Sequence, residues 1–402
     1  MENKNVPSIR FKGFIDDWEQ RKLGSVGKTQ SGVGFPDSEQ GGNEGIPFFK
    51  VSDMNNKGNE NEMVTANNYV SEEQVKRKKW KPLETVPAVI FAKVGAAIML
   101  NRKRIIRSPF LFDNNTMAYI FDDSWNVEFG KTLFETINLP KYAQIGALPS
   151  YNSSDIESIE VTVPDKIEQI KIGYLFKQLD KTIALHEREL ELLNLTKKGF
   201  LQQIFPGNKQ KYPNIRFENF DEEWEQCELI ELAEFNPKSK LPKEFEYVDL
   251  ESVVGTSLID HRTETINSAP SRAQRLAEFG DLFYQTVRPY QKNNYLYELP
   301  YNNYVFSTGY AQMRPKYNSY FLLTLVQEEK FVSRVLERST GTSYPSINSN
   351  DLSKLKVRVP KKEEQTKIGN FFKQLDETIN IQERKLNKLK KTKKSFLQKM
   401  FI

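Results

Sequence analysis

Two stretches of the chain carry apolar residues at a helical spacing that stays in one register for more than four heptads. They follow Pro164 and Pro360, and proline suits the first turn of a helix, where no backbone N–H is needed. With Phe176 and Phe372 at heptad position a, the pattern predicts two long helices that each pack along a narrow seam. The predicted seam residues are Ile172, Phe176, Leu179, Ile183, His186, Leu190, Leu193, Phe200, Ile368, Phe372, Leu375, Ile379, Gln382, Leu386, Leu389 and Phe396.

Polar residues interrupt both predicted seams at matching layers. His186 and Gln382 share one d layer, and Lys197 and Lys393 share one a layer. Polar seam residues reduce stability but disfavour wrong registers, so they are typical of a defined pairing. The alternative is that these positions are partly exposed and tolerated. We do not expect His186 to bind a metal, because no second histidine or cysteine lies at ligand spacing.

The two helices belong to a larger internal repeat. Residues 7–20 return as residues 213–226 with 8 of 14 positions identical, and residues 163–205 return as 359–401 with 26 of 43 identical. Between these segments the two halves diverge, so the repeat predicts two unlike heads on matching helices. The simplest arrangement pairs the helices antiparallel and places the heads at opposite ends with pseudo-twofold symmetry. A helix over residues 166–204 would be about 58 Å long at about 1.5 Å per residue.

Each head mixes short β-rich runs with helical stretches. Residues 89–92 and 304–306 are typical of strands, and residues 322–338 are typical of a helix. This texture predicts the α+β class, with a curved sheet in each head. We therefore divide the chain into a first globular domain at residues 1–164, a first spacer helix at 165–205, a second globular domain at 206–360 and a second spacer helix at 361–402.

Composition narrows the classes of function. A chain of 402 residues with 38% hydrophobic and 12% aromatic residues can bury the cores of two or more domains. The 58 basic and 53 acidic residues nearly cancel, so a nucleic-acid surface must come from local clustering.

Cys227 is the single cysteine, which fits a reducing compartment. The most apolar segment, residues 87–100, is too short to span a bilayer. We expect a cytoplasmic protein without a membrane partner.

Basic side chains gather in a few segments of both heads. Arginine and lysine neutralise phosphates and read guanine, while asparagine and glutamine suit adenine, so these segments are candidates for binding double-stranded DNA. The alternative for each cluster is an ordinary solvated face. In the first head the candidates are Lys76, Arg77, Lys79, Arg102, Lys103, Arg104 and Arg107. In the second head they are Arg272, Arg275, Arg288, Tyr290, Lys292, Asn293 and Arg314.

Motifs for catalysis are not recognisable in the sequence. There is no Gly-x-x-x-x-Gly-Lys-Ser/Thr phosphate loop, and Asn236-Pro237-Lys238 lacks the second proline and the ring of an amino-methyltransferase motif. We therefore interpret the chain as a binding and scaffolding protein with no catalytic residue, metal or cofactor of its own. Two alternatives stay open. An enzyme with an unrecognised site would bind S-adenosylmethionine by itself, and a structural protein whose heads bind other proteins would fail a DNA-binding assay.

Several short motifs recur in the repeated segments. They are Ile9-Arg10-Phe11 with Trp18, Val163-Pro164, Glu168-Gln169 and Lys171-Ile172-Gly173, with second copies that include Val359-Pro360, Glu364-Gln365 and Lys367-Ile368-Gly369. Residues 280–290 and 341–347 of the second head complete a pattern that resembles the specificity subunit of Type I restriction-modification enzymes. The first head departs from that pattern, because it has Gly146 to Ser150 in place of residues 342–346 and no Thr-Val-Arg-Pro-Tyr segment.

The resemblance implies that each head is a target recognition domain reading one half of an interrupted DNA sequence, with the helices as an antiparallel spacer. It implies two methylation subunits that carry S-adenosylmethionine, and restriction subunits that use ATP and magnesium, in a bacterial or archaeal cytoplasm near the nucleoid. A chain that serves methylation alone is a further alternative. Residues 9–11 and 215–217 are candidates for contact with the methylation subunit, and the alternative is packing against their own head.

Overall fold

The computed structural model describes residues 6–144, 146, 148–207 and 210–401, and the chain forms two compact units. Unit 1 contains Met1–His186 and Lys385–Ile402, and unit 2 contains Glu187–Arg384. Each unit therefore combines one head with segments of both long helices. The fold is a mixture of helices and sheets, as the sequence predicted.

A four-stranded sheet, a three-stranded sheet and a two-stranded ladder form the head of unit 1. Its strands are β1 Glu19–Lys22, β2 Gly27–Ser31, β3 Ile46–Phe49, β4 Tyr69–Val70, β5 Ala88–Ala92, β6 Lys103–Ile106, β7 Leu111–Phe112, β8 Thr116–Phe121 and β9 Glu160–Val163, and its helices are α1 Glu72–Lys78, α2 Val127–Thr136, α3 Ser153–Glu157 and the start of α4 Lys166–Ile204. The sheet orders are β2-β8-β5-β6 and β4-β3-β7. Val89 and Phe91 face the core around α2, whereas Ile90 faces the core of the second sheet. Strand β5 is apolar throughout because both of its faces are covered.

The head of unit 2 is built on two four-stranded sheets. Its strands are β10 Glu225–Glu228, β11 Ala233–Phe235, β12 Glu244–Val248, β13 Val253–Val254, β14 Ser257–Leu258, β15 Arg262–Thr265, β16 Ala273–Leu276, β17 Leu282–Gln285, β18 Tyr295–Leu296, β19 Tyr304–Ser307, β20 Tyr310–Pro315 and β21 Lys356–Val359, and its helices are α5 Leu229–Leu232, α6 Ser319–Gln327, α7 Glu329–Glu337, α8 Ser349–Ser353 and the start of α9 Lys362–Lys399. The sheet orders are β11-β20-β17-β18 and β15-β12-β19-β16. Phe283 of β17 stacks on Phe306 of β19 at 3.6 Å between ring centroids, which joins the two sheets.

A two-stranded antiparallel ladder closes each head. Strand β1 pairs with β9, and β10 pairs with β21, in the same relative register. The chain therefore enters and leaves each head at one place. Trp18 and Trp224 precede the entering strands and are almost fully buried, so each ladder is anchored to the core of its own head.

The segments of α4 and α9 run antiparallel within each unit. In unit 1, Phe176 contacts Phe401 and Asp180 binds Lys393. In unit 2, Glu189 accepts a hydrogen bond from Gln382, and Phe200 packs edge-on against Phe371. In both units, as the residue number increases along α4, the residue number of its contact partner decreases, which is the order of an antiparallel pair.

One predicted helix is divided in the structure. The sequence pattern predicts a single helix over residues 322–338, but α6 ends at Gln327 and α7 begins at Glu329. Glu328 between them has extended backbone angles, and its carboxylate accepts the N–H of Phe331 at 3.1 Å. The Glu328 side chain caps α7, and this cap takes the place of the backbone hydrogen bonds that one continuous helix would make here.

Candidate nucleic-acid interface

The repeated Ile-Arg-Phe segment is tied to the repeated Glu-Gln motif within each unit. Arg10 donates from Nε and Nη2 to the two carboxylate oxygens of Glu168 at 2.7 Å, and Arg216 binds Glu364 in the same way at 2.8 Å. The Trp18 indole also donates to Glu168 at 3.2 Å. This hydrogen bonding raises the pKa of Arg10. These arginines are therefore held by the first turn of the long helix that follows their own head.

The glycine of the repeated motif lets each long helix dock on its head. A Cβ at Gly173 would lie 2.5 Å from Oδ1 of Asn126, and one at Gly369 would lie 2.1 Å from Oδ1 of Asn318. Asn126 and Asn318 cap the N-termini of α2 and α6. Glycine is needed at these two helical positions because any side chain would displace the cap.

The predicted seam residues are all sheltered to some degree. Those that are buried are Ile172, Phe176, Ile183, Ile368, Phe372, Ile379 and Leu386, and those that are half-buried are Leu179, His186, Leu190, Leu193, Phe200, Leu375, Gln382, Leu389 and Phe396. The half-buried group includes both polar d residues.

The lysine of each seam is held in an ion pair. Lys393, with 15% of its side chain exposed, lies 2.7 Å from Asp180 and 2.6 Å from Glu135 in unit 1. Lys197 binds Asp376, the repeat counterpart of Asp180, in unit 2. Burial lowers the pKa of Lys393, but the two carboxylates outweigh burial and raise the pKa above its ordinary value.

The basic cluster on helix α1 lies at the surface. Lys76, Arg77 and Lys79 are exposed. Arg77 binds Glu39 at 2.7 Å, and Lys76 lies 3.8 Å from Glu72. The Lys76–Glu72 pair is exposed and worth little, so Lys76 can exchange its partner for a phosphate. Glu39 is buried and is also paired with Lys78, so Arg77 would have to leave a buried carboxylate.

Lys103 and Arg104 are turned into the first head. Nζ of Lys103 donates to the carbonyl of Ile137 at 2.6 Å, and Nε of Arg104 donates to the carbonyl of Asn59 at 2.6 Å. Burial lowers the pKa of Lys103 to about 8, and it also lowers the pKa of Arg104. Both cations therefore stabilise the fold through hydrogen bonds to backbone carbonyls of the first head.

The two flanking arginines of this segment also bind side chains of the first head. Arg107 pairs with Glu62 at 3.0 Å and with Glu128 at 2.8 Å. Arg102 donates to Oδ1 of Asn55. The basic run in the sequence is therefore not a free basic surface in the fold.

Arg314 and Arg275 are structural in the second head. Arg314 binds the buried carboxylate of Asp281 through two hydrogen bonds of 2.9 and 3.0 Å, and it also pairs with Glu278. Burial lowers the pKa of Arg275. Arg314 therefore cannot meet a phosphate without giving up its bonds to Asp281, and Arg275 is half-buried.

Lys292 and Asn293 also make contacts inside the second head. Lys292 pairs with Glu329, the first residue of α7, at 2.6 Å. Oδ1 of Asn293 accepts the backbone N–H of Gly255 at 2.8 Å. These contacts fix the loop that follows Arg288.

Arg288 lies on an exposed aromatic platform. Its backbone is left-handed (φ 55°), its N–H donates to the carbonyl of Pro345 at 2.7 Å, and its guanidinium lies 4.4 Å from the Tyr344 ring centroid. Tyr290 and Tyr344 are 48% and 64% exposed, and Arg272 is exposed as well. Sequence reasoning missed Tyr344, although it lies in the segment of residues 341–347 that carries the family resemblance.

The first head presents different chemistry at the corresponding loop. Gly95 occupies the place of Arg288, because its N–H donates to the carbonyl of Pro149 and its φ is also positive. Leu148, 65% exposed, occupies the place of Tyr344. A cation on an aromatic ring in one head is thus replaced by glycine and leucine in the other.

Within the described residues, no group of three or more His, Cys, Asp or Glu side chains is arranged to hold a metal ion. No helix of the described chain is both long and apolar enough to cross a membrane. Burial raises the pKa of Cys227 to about 11, so its thiol stays protonated at neutral pH.

Comparison with protein families gives two matches along this chain. The family described as the Type I restriction modification DNA specificity domain matches residues 15–195 and 221–391. The Type I restriction enzyme MjaVIII specificity subunit of Methanocaldococcus jannaschii is 23% identical over 271 residues, and the putative MjaX specificity subunit of that organism is 21% identical over 284 residues. These alignments cover 62% and 66% of this chain, and 63% and 64% of the relatives.

Solved structures share the fold. The S subunit of a Type I restriction-modification system from M. genitalium superposes with a TM-score of 0.66 at 14% identity, covering 99% of both chains. A chain from a study of the assembly and conformational transition of the type I R-M system gives a TM-score of 0.52 at 15% identity, covering 95% of this chain and 97% of that one.

Proposed function

The chain belongs to the family of Type I restriction modification DNA specificity domains, and we propose that it is the subunit that selects the DNA target of such a system. In this proposal the chain binds double-stranded DNA and performs no chemistry. The enzymes that it directs are its partners.

The observation that carries the proposal is the contrast between a repeated frame and unlike heads. Arg10–Glu168 and Arg216–Glu364 are the same contact made twice. The loop that presents Arg288 in one head presents Gly95 in the other. Two unlike heads would read two unlike half-sites, so the target is asymmetric and bipartite. The helices α4 and α9 would keep the unread gap between the half-sites constant in length.

We assign DNA contact to the exposed candidates, which are Lys76, Arg77, Lys79, Arg272 and Tyr290. We add Arg288, which is half-buried but lies on the exposed ring of Tyr344. The guanidinium of Arg288 can read a guanine edge or bind a phosphate, and the stacked ring of Tyr344 restricts its orientation. The remaining cations of the sequence prediction are half-buried, and those with internal partners would affect DNA binding only indirectly.

Two methylation subunits that carry S-adenosylmethionine, and restriction subunits that use ATP and magnesium, are the partners in this proposal. No cofactor is assigned to this chain. The complex would work in the cytoplasm of a bacterial or archaeal cell, in contact with the nucleoid.

Binding of DNA by the methylation subunit with and without this chain tests the proposal. We expect target-specific binding at moderate salt only when the chain is present. Binding of S-adenosylmethionine by the purified chain alone would instead favour an enzyme. A complex that forms normally but binds no DNA would favour a protein-binding role for the heads.

A further inference from the structure

A groove of about 260 Å³ in unit 2 runs between helix α7 and strand β21. Its floor is partly apolar, with Phe205 and Leu325 among the lining residues. Two carboxylates, Glu328 and Glu337, also line the groove. The cations that line it are Lys330, Arg334, Arg338, Lys356 and Arg358. Cations therefore outnumber carboxylates in the groove, and none of them was a candidate from the sequence.

Much of this positive charge is not neutralised within the fold. Glu328 is buried and occupied, because it caps α7 and lies 3.7 Å from Lys330. Among the described residues, the side chains of Arg338 and Lys356 have no hydrogen-bond or ion-pair partner, and both are exposed. Arg358 makes one long hydrogen bond of 3.3 Å to the carbonyl of Trp224. At least three cations are thus available to an anionic ligand.

The first head has a matching groove with much less positive charge. A cavity of about 380 Å³ in unit 1 is lined by the equivalent strand residues and by the end of α2. By the repeat, Glu160 stands where unit 2 has Lys356, and Thr162 stands where it has Arg358. Among the described residues, the one cation that lines the unit 1 groove is Lys141, and Glu160 is its one carboxylate. The frame therefore forms a groove here without an excess of cations.

The groove is connected to the Arg288 loop by helix α7. Arg338 follows the last turn of α7 and lies two residues before Thr340, which pairs with Ser346. The neighbouring Pro345 accepts the N–H of Arg288. The chain that leaves the groove at Arg338 therefore leads to the backbone contact that holds Arg288. Several available cations in one groove fit the repeated phosphate charges of a nucleic-acid strand better than a single carboxylate of a protein partner.

We propose that this groove binds backbone phosphates of DNA that is held by the second head. The inference rests on the proposed function and adds a phosphate site outside the base-reading loop. Phosphate contacts set position and affinity without reading sequence. The second head would then bind its half-site with a steeper salt dependence than the first head.

The test is the salt dependence of DNA binding by the full chain assembled with its methylation subunit. The variant combines Arg338→Gln with Lys356→Gln. We expect the slope of log K against log salt to become shallower by about 0.9 for each phosphate that the variant no longer neutralises. Target and non-target DNA should be weakened by the same factor. Lys354→Gln, which removes an exposed cation two residues from Lys356 and outside the groove, should leave the slope unchanged.

A second variant distinguishes the loss of a phosphate contact from a folding defect. Arg358→Thr installs the residue that the first head carries at this place, and it should melt at the same temperature as the parent while also lowering the slope. An unchanged slope in both variants, with normal binding by the parent, would overturn the phosphate site and leave the proposed function intact. Normal DNA binding with loss of the methylation subunit would assign the groove to an acidic protein segment instead. A parent complex that binds no DNA would overturn the proposed function itself.

Discussion

Arg10 and Glu168 form a buried ion pair with two parallel hydrogen bonds of 2.7 Å, and the repeat copies this contact in Arg216 and Glu364. In each unit the pair joins the segment before the head to the helix after it. The same internal contact thus holds two heads whose exposed loops differ.

Loss of one partner of this pair should be costly. Arg10→Met leaves the carboxylate of Glu168 buried without its cation, and we expect a loss of about 3–5 kcal/mol in the free energy of unfolding, measured by urea denaturation. Glu72→Gln, which removes the exposed pair with Lys76, should cost no more than about 1 kcal/mol. Equal losses in the two variants would contradict a structural role for the buried pair.

Two glycines of the long helices should respond to alanine in opposite directions. Gly199→Ala introduces a Cβ with nothing within 4 Å, so it should stabilise the protein by about 0.5–1 kcal/mol. Gly369→Ala forces a Cβ against the cap at Asn318, so it should destabilise the protein despite the better helix propensity. Thermal melting of the two variants provides the comparison. A stabilising Gly369→Ala would refute the docking role of this glycine.

The ion pair of Lys393 should stabilise unit 1 in a pH-dependent way. The carboxylates of Asp180 and Glu135 raise the pKa of Lys393 above 10.5 in the folded chain. The stabilisation is therefore complete below pH 10.5, and it is lost as the pH rises through the folded pKa. The stability difference between the parent and Lys393→Met should be constant from about pH 7 to 9 and should shrink above about pH 10.5.

The neighbouring exposed Lys394 gives the control for this measurement. Lys394→Met should change stability little at any pH in the range. If the cost of Lys393→Met already fell between neutral pH and pH 9, the folded pKa of Lys393 would be lowered rather than raised.

Arg288 should act on one half-site only. Arg288→Ala removes the cation stacked on Tyr344, and we expect weaker binding or relaxed recognition at the second half-site. Binding to DNA with one altered half-site at a time separates the two heads. Loss of a base contact should relax one position by about 1–3 kcal/mol. Equal loss at both half-sites would point to a folding defect.

Helix α4 should set the length of the unread gap. Four residues inserted after Leu193 add about 6 Å of helix, and we expect a longer gap between unchanged half-sequences. The same four residues inserted after Lys240, in an exposed segment between strands, should leave the gap unchanged. The methylated motif in cells reports the gap directly, and an unaltered gap after the helix insertion would rule out the spacer role.

The frame was predictable from the sequence because its contacts join repeated residues. Arg10, Trp18 and Glu168 recur with their spacing, and the seam follows a local heptad pattern. The candidate site was less predictable, because the register of the sheets decides which cations lie at the surface without an internal partner. Arg314 is bound by Asp281, which lies 33 residues away on the chain. Adjacent basic residues are not adjacent on the surface when strands alternate their side chains between two faces.

The most direct test of the account is a genome-wide map of methyladenine in cells that carry the methylation subunit, with and without this chain. We predict a gapped, two-part, asymmetric motif that is present only with the chain. The same motif in cells without the chain, or an ungapped motif with it, would contradict the claim that two unlike heads on one repeated frame select the target.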